Sequence, residues 1–158
     1  MAGHEHQARI LWARGTAAFI DNRYSRAHTW TFDGGLTVPA SSSPHVVRVP
    51  MSVEAAVDPE EALVAALASC HMLWFLSLAA GRGLCVEDYS DAAAGVMGHN
   101  AAGRVAMVRV TLHPRARFSG PNLPPRAAIV QLHAQAHEEC FIANSVTTEV
   151  RCEPLFDV

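Results

Sequence analysis

Between Ala62 and Ala80 the only polar residues are Ser69, His71 and Ser77, so a helix built from this stretch has no face to give to water and must be covered on every side. The residues just before it specify where it begins. Asp58 suits the N-cap, Pro59 the first helical position, and Glu61, three residues after Asp58, completes a capping box. Gly81 and Gly83 supply a stop, which predicts a helix from Pro59 to about Ala80. Twenty apolar residues would also span a bilayer. The alanine content, the central His71 and the amphipathic strands on either side argue instead for a protein interior. A single chain with one modest sheet has too little material to surround such a helix, so a second copy packed against it, with twofold symmetry, is expected.

The rest of the chain reads as α+β. Strand-type residues run from Ala8 to Arg14 and from Ala27 to Phe32, and Asp33-Gly34-Gly35 is a hairpin signal leading into Leu36–Pro39. After the loop "PASSSP", His45–Met51 reads as a further short strand. Beyond the apolar helix, Val86–Val96 and Val105–Phe118 predict two strands around a turn at His99–Gly103. Arg126–Cys140 has apolar residues at helical spacing (Ile129, Leu132, Ala136, Cys140), and Val146–Cys152 predicts a last strand. The order lacks the strict strand–helix alternation of a parallel sheet. At 158 residues, half of them apolar, the chain is expected to form a single domain spanning residues 1–158. A net charge of −3 without a basic run offers nothing to a nucleic-acid backbone. The N-terminal residues show no secretory pattern, so the cytoplasm is the expected compartment.

Four cysteines, Cys70, Cys85, Cys140 and Cys152, occur without a C-x-x-C pair, which disfavours a zinc ribbon or a thioredoxin-type motif. Any buried cysteine is in the first instance a small hydrophobe, and Cys85 and Cys152 are read that way. Cys70, in mid-helix, and Cys140, at a helix exit, are candidates for chemistry. A reactive thiol needs a cation or a helix N-terminus beside it. The available groups are Arg23 and Arg26, in a segment too polar to be core, and Glu60 in the first turn of the apolar helix. Lowering a thiol pKa from about 8.5 to about 6 raises its thiolate fraction at pH 7 roughly thirtyfold, while intrinsic nucleophilicity drops roughly tenfold. The two nearly cancel, so an arginine must contribute by orienting substrate and stabilising a departing oxygen. That is the task of a peroxide reductase, in which attack on an O–O bond gives a sulfenic acid that a second thiol closes to a disulfide.

Other readings stay open on the residues alone. His133, His137 and Cys140 recur at i, i+4 and i+7 and can place three zinc ligands on one face, with Cys70 as a fourth. A small-molecule-binding dimer without chemistry is a third class. A cysteine hydrolase using Cys70 and His71 is a weaker reading still, because adjacent helical residues point about 100° apart and do not readily form a nucleophile and base pair. Leu73, Trp74 and Phe75 read as core, with the lining of an apolar substrate pocket as the alternative.

The segments "DPEEALVAALASCHMLWFLSLAAGRGL" and "AHEECFIANSV" resemble the two cysteine motifs of the OsmC/Ohr family of hydroperoxide reductases. "YSRAHTWTFDGG" is similar to the OsmC-like branch. The resemblance covers most of the chain. It implies antiparallel sheets wrapped around two central apolar helices in an intertwined homodimer, with active sites at the subunit interface and neither metal nor flavin. By position it makes Cys70 the peroxidatic thiolate and Cys140 the resolving thiol. Glu60 becomes the glutamate that pairs with an arginine, for which Arg23 is the better match and Arg26 the other choice. The implied substrate is an organic hydroperoxide, reduced to its alcohol, and the electron donor a thiol reductant such as a dihydrolipoyl protein. Where many members carry Pro-x-Ser after the second cysteine, this chain has Phe141, Ile142 and Ala143, with Ser145 further on.

Overall fold

The computed structural model describes residues 3–156. The chain forms two compact units, residues 1–62 and 63–158. In the first, β1 (Ala8–Leu11), β2 (His28–Phe32) and β3 (Thr37–Ala40) make an antiparallel sheet in the order β1-β2-β3. β2 and β3 are joined at Asp33-Gly34-Gly35, where Gly35 takes φ 87°, a conformation that a side chain would strain. β1 stops at Leu11, short of the predicted Arg14, because the chain turns through Gly15 at φ 63°.

The strand expected at His45–Met51 is absent. Instead the N–H groups of Val46 and Val47 both donate to Ser43 O, at 3.0 and 2.9 Å, and Met51 N–H donates to Arg48 O. Pro44 before the segment and Pro50 within it lack N–H donors, which interrupts the ladder a strand would need.

α1 (Pro59–Gly81) begins as its residues dictate. Glu61 N–H donates to Asp58 Oδ1 at 2.8 Å and Asp58 N–H to Glu61 Oε1 at 2.9 Å, a reciprocal cap that satisfies two otherwise orphaned donors. The division between the two units falls after Ala62, within this helix.

In the second unit the two long strands predicted around His99–Gly103 are four. β4 (Cys85–Asp91) pairs with β7 (Pro114–Ser119), and β5 (Ala94–His99) with β6 (Val105–Leu112). The hairpin is continuous in sequence but bends at Ala92-Ala93 and His113, so its halves belong to different sheets. The corner is tied by His113 N–H donating to Asp91 Oδ1 at 2.8 Å. Pro114 stands at the first residue of its strand, where a missing donor costs least. β8 (Glu149–Cys152) adds to the second sheet parallel to β6, giving β5-β6-β8. α2 (Arg126–Glu139) follows its predicted range and ends on Cys140.

Two apolar clusters hold this unit. Phe75 and Ala79 of α1 pack with Leu132 and Ala136 of α2, against Val86, Tyr89 and Phe118 of the first sheet. Leu67 packs with Val110 and Leu112 of β6, joined by Val146, Val150 and Cys152. Gly95 marks a close approach, since a Cβ there would lie 2.7 Å from Val64 Cγ2 and 2.6 Å from the Met107 sulfur. α1 therefore buries one stripe, Leu67, His71, Phe75 and Ala79, at four-residue spacing. Its other side, Ala66, Ser69, Leu73, Ser77 and Ala80, is exposed in the single chain.

Candidate functional site

The structure brings Cys70 and Cys140 together. Cys70 sits one turn before Trp74 on α1, half-buried, beside the exposed stripe. Cys140 is the C-cap of α2 and is 2% exposed. Leaving the helix with φ −67° and ψ 108° turns Cys140 toward α1, and Trp74 against Phe141, edge-on at 5.4 Å, fixes the approach. Cys70 lies near enough to act on the Cys140 thiol, and Ala143 N–H donates to Cys140 Sγ at 3.4 Å. Burial first, then the neighbouring Cys70, pushes the Cys140 thiol up to about 11, against the opposing pull of the Ala143 and Ile142 N–H groups. Cys140 thus keeps its proton well above neutral pH, with its sulfur beside its partner's. In place of Pro-x-Ser, the segment after it is tied locally by Asn144 N–H to Cys140 O at 3.0 Å and Asn144 Nδ2 to Glu138 O at 2.8 Å.

Of Leu73, Trp74 and Phe75, Phe75 is core at 0% exposure and Leu73 is exposed at 60%. Trp74 is half-buried.

Glu60 and an arginine occur together in the first unit. A cavity of about 450 Å³ is walled by Trp12, Phe19 and Tyr24, with Arg26 and Glu60 among its polar groups. Phe19 stacks on Tyr24 at 4.6 Å, and Trp12 meets Tyr24 edge-on at 5.4 Å. The arginine lining this cavity is Arg26, where the sequence favoured Arg23. Asn22 takes the left-handed conformation at φ 59°, which asparagine tolerates better than most residues. The chain then curls so that the Arg26 guanidinium donates to Asn22 O at 3.0 Å, Asn22 Oδ1 at 2.7 Å and Tyr24 O at 2.5 Å, and lies 3.9 Å above the Tyr24 ring. Arg23 is exposed, and its backbone N–H donates to Asp21 Oδ1.

A second cluster was not foreseen. Among the described residues the three-donor group of metal-ligand type is His71, His133 and Cys152. His133, His137 and Cys140 do not close on one point, because His133 faces the core, His137 is half-exposed, and Cys140 has already left the helix. The missed signal was positional: His71 lies on the Leu67–Phe75–Ala79 stripe, where a polar ring needs a polar partner. His71 Nε2 and His133 Nδ1 are 3.0 Å apart, and their rings stack at 5.3 Å.

Burial, with the neighbouring His137, depresses His71 to about 4. Burial, with His71, does the same to His133. An unfolded imidazole takes its proton near 6.5. Between about pH 6.5 and 4 the unfolded chain therefore binds more protons than the folded one. Stability is full above this window and falls as the pH drops through it. From pH 7 to pH 5 the expected loss is roughly 2 kcal/mol per ring. Urea denaturation of the reduced, chelator-treated protein at both pH values checks this, and an unchanged midpoint would contradict it.

Comparison with known proteins places the chain in a family. The family model described as OsmC-like protein matches residues 52–154. The solved structure of an OsmC-like protein of unknown function from Vibrio cholerae is 55% identical, covers 97% of this chain and 100% of its own, and superposes with a TM-score of 0.95. An organic hydroperoxide resistance protein OsmC from Legionella pneumophila shares the fold at 18% identity and TM-score 0.71, with 99% and 100% coverage. The organic hydroperoxide resistance protein OhrB of Bacillus subtilis shares it at 17% identity and TM-score 0.69, with 96% and 98% coverage. No curated protein matches the chain. With the matched model covering most of the chain and a relative more than half identical along nearly all of it, the chain belongs to the OsmC-like protein family.

Proposed function

We propose that the protein is a thiol peroxidase that reduces organic hydroperoxides to alcohols. The observation that carries this reading is the placement of Cys140, at the exit of α2, beside Cys70 on α1. The Cys70 thiolate attacks the O–O bond, the alkoxide leaves and takes a proton as alcohol, and Cys70 becomes a sulfenic acid. Cys140 then displaces water from that sulfur to form the disulfide. A dithiol donor, such as a dihydrolipoyl protein in the cytoplasm, reopens the disulfide and is itself oxidised. Arg26 and Glu60 in their aromatic-walled cavity suit a substrate with a bulky apolar part and a polar O–O end. Intact-mass analysis after one equivalent of cumene hydroperoxide tests the reading. Loss of two hydrogens, mapped to a Cys70–Cys140 bridge, is expected, and two surviving free thiols would refute it.

The working form is a homodimer built on α1. The uncovered stripe of Ala66, Ser69, Leu73, Ser77 and Ala80 is mostly small, which lets a second helix approach closely, and it adjoins Cys70, whose chemistry needs shelter from water. α1 also meets the length and composition of a membrane span, but small polar residues on the uncovered side fit a helix partner better than lipid. Leu73→Glu is expected to shift the sedimenting species to a monomer. Dimers that persist unchanged would remove α1 as the interface.

A further inference from the structure

Three donor atoms that the proposed thiol chemistry does not use converge inside the second unit. His71 comes from α1, His133 from α2 and Cys152 from the end of β8. His71 Nε2 lies 3.0 Å from His133 Nδ1 and 3.6 Å from Cys152 Sγ, and all three donors lie within 4.8 Å of one another. The two imidazoles are 1% and 2% exposed. We propose that this cluster is a binding site for one late first-row transition-metal ion, zinc in the first instance, held by His71, His133 and Cys152.

The geometry suits such an ion. Zinc–nitrogen bonds of about 2.0–2.1 Å and a zinc–sulfur bond of about 2.3 Å, at tetrahedral angles, place nitrogens about 3.3 Å apart and nitrogen and sulfur about 3.6 Å apart. The sulfur spacing already matches, and the imidazoles need to separate by a few tenths of an ångström. Two imidazole nitrogens and one thiolate form a borderline-soft donor set that selects zinc, cobalt or copper over magnesium or calcium.

The hydrogen bonding within the cluster points the same way. Two neutral rings can share only one proton along the 3.0 Å contact. Among the described residues of this unit, the buried side-chain atoms without a hydrogen-bond partner are His71 Nδ1, Tyr89 Oη and Asp91 Oδ2. All three belong to this neighbourhood. The Tyr89 ring is 6.4 Å from His133, and burial first, then the nearby Asp91, raises the pKa of both Cys152 and Tyr89. Apolar packing would not gather such groups in one place. A divalent cation would hold Cys152 as thiolate, release its proton, and offset the Asp91 charge.

Two of the three donor residues border a cavity. A cavity of about 200 Å³ is lined by His133 and Cys152, with His137 and Val150 also on its wall. That leaves room for water in a fourth position. Bound there, the ion would tie α1, α2 and β8 together while Cys70 and Cys140 remain free.

The test uses the untagged, reduced, full-length protein, stripped with chelator and titrated without oxygen. Zinc is expected to bind at one equivalent per chain with release of one proton. Cobalt is expected to give a sulfur-to-metal charge-transfer band with the visible bands of a four-coordinate ion. Cys152→Ser should abolish that band and weaken zinc binding by at least about a hundredfold, with unchanged far-UV circular dichroism. The Cys70→Ser/Cys140→Ser double variant should keep both. X-ray absorption of the zinc-loaded natural chain answers the same question without substitution: one sulfur with nitrogen and oxygen neighbours supports the site, and two sulfurs assign the ion to the dithiol. Substoichiometric zinc without a cobalt charge-transfer band would overturn the proposal. So would a band that survives Cys152→Ser and disappears in the double variant. Peroxide turnover of the stripped protein is a separate readout and moves with neither result.

Discussion

Replacing Cys70 with serine is expected to lower catalytic reduction of cumene hydroperoxide by on the order of a thousandfold or more, with no loss of fold. A serine hydroxyl is almost wholly protonated at pH 7 and has no comparable affinity for peroxide oxygen. The swap changes one atom on a half-buried helical position, so circular dichroism and the unfolding midpoint should move little. Cys140→Ser should behave differently. The first step still proceeds, one alcohol forms per Cys70, and the sulfenic acid persists long enough for dimedone to trap it. The Cys140→Ser enzyme would then complete one turnover quickly and stall, whereas Cys70→Ser would not begin. Equal steady-state activity in Cys70→Ser and natural protein would end the thiol-peroxidase reading, and identical behaviour of the two variants would remove the division of labour between the sulfurs.

The second large effect is expected at Arg26. Arg26→Met should cut kcat/KM for an organic hydroperoxide by about a hundredfold to a thousandfold, the usual cost of removing a donor aimed at developing negative charge. Arg23→Met should leave it near the natural value. The contrast rests on placement, because the Arg26 guanidinium is held by Asn22 and Tyr24 at the cavity wall while Arg23 is exposed. Arg26→Lys should rescue poorly. A lysine has the charge but not the planar fork that reaches Asn22 O, Asn22 Oδ1 and Tyr24 O together. A cumene hydroperoxide assay of the three variants, each with its melting temperature, checks the prediction. Full activity in Arg26→Met with loss in Arg23→Met would return the role to Arg23.

These expectations draw unequally on sequence and structure. Asp58, Pro59 and Glu61 were enough to start α1 at the right residue, since capping satisfies donors within one turn and needs no distant partner. The β2–β3 hairpin and the span of α2 were legible for the same reason. His45–Met51 misled because its valines (Val46, Val47 and Val49) suit a strand, while the prolines that deny it a ladder act through bonds a strand partner would have supplied. The β4–β7 region was legible as two long strands around the turn at His99–Gly103, but a bend that passes one ribbon between two sheets leaves little trace in alternation. The pairing of β8 with β6 is parallel, so no local turn announces it.

For the chemistry, residue order was enough to show that a long apolar helix carries a cysteine, that a glutamate opens that helix, and that a second cysteine ends another. Local rules of capping, periodicity and residue type settle such matters. Tertiary structure alone decided which side chains meet: Cys140 with Cys70, Arg26 rather than Arg23 at the aromatic cavity, and His133 with His71 and Cys152 rather than with His137. The reason is that a helix or turn fixes the direction of a side chain only within its own element. Which atoms share a buried space depends on how elements distant in sequence pack, and that is a property of the whole core.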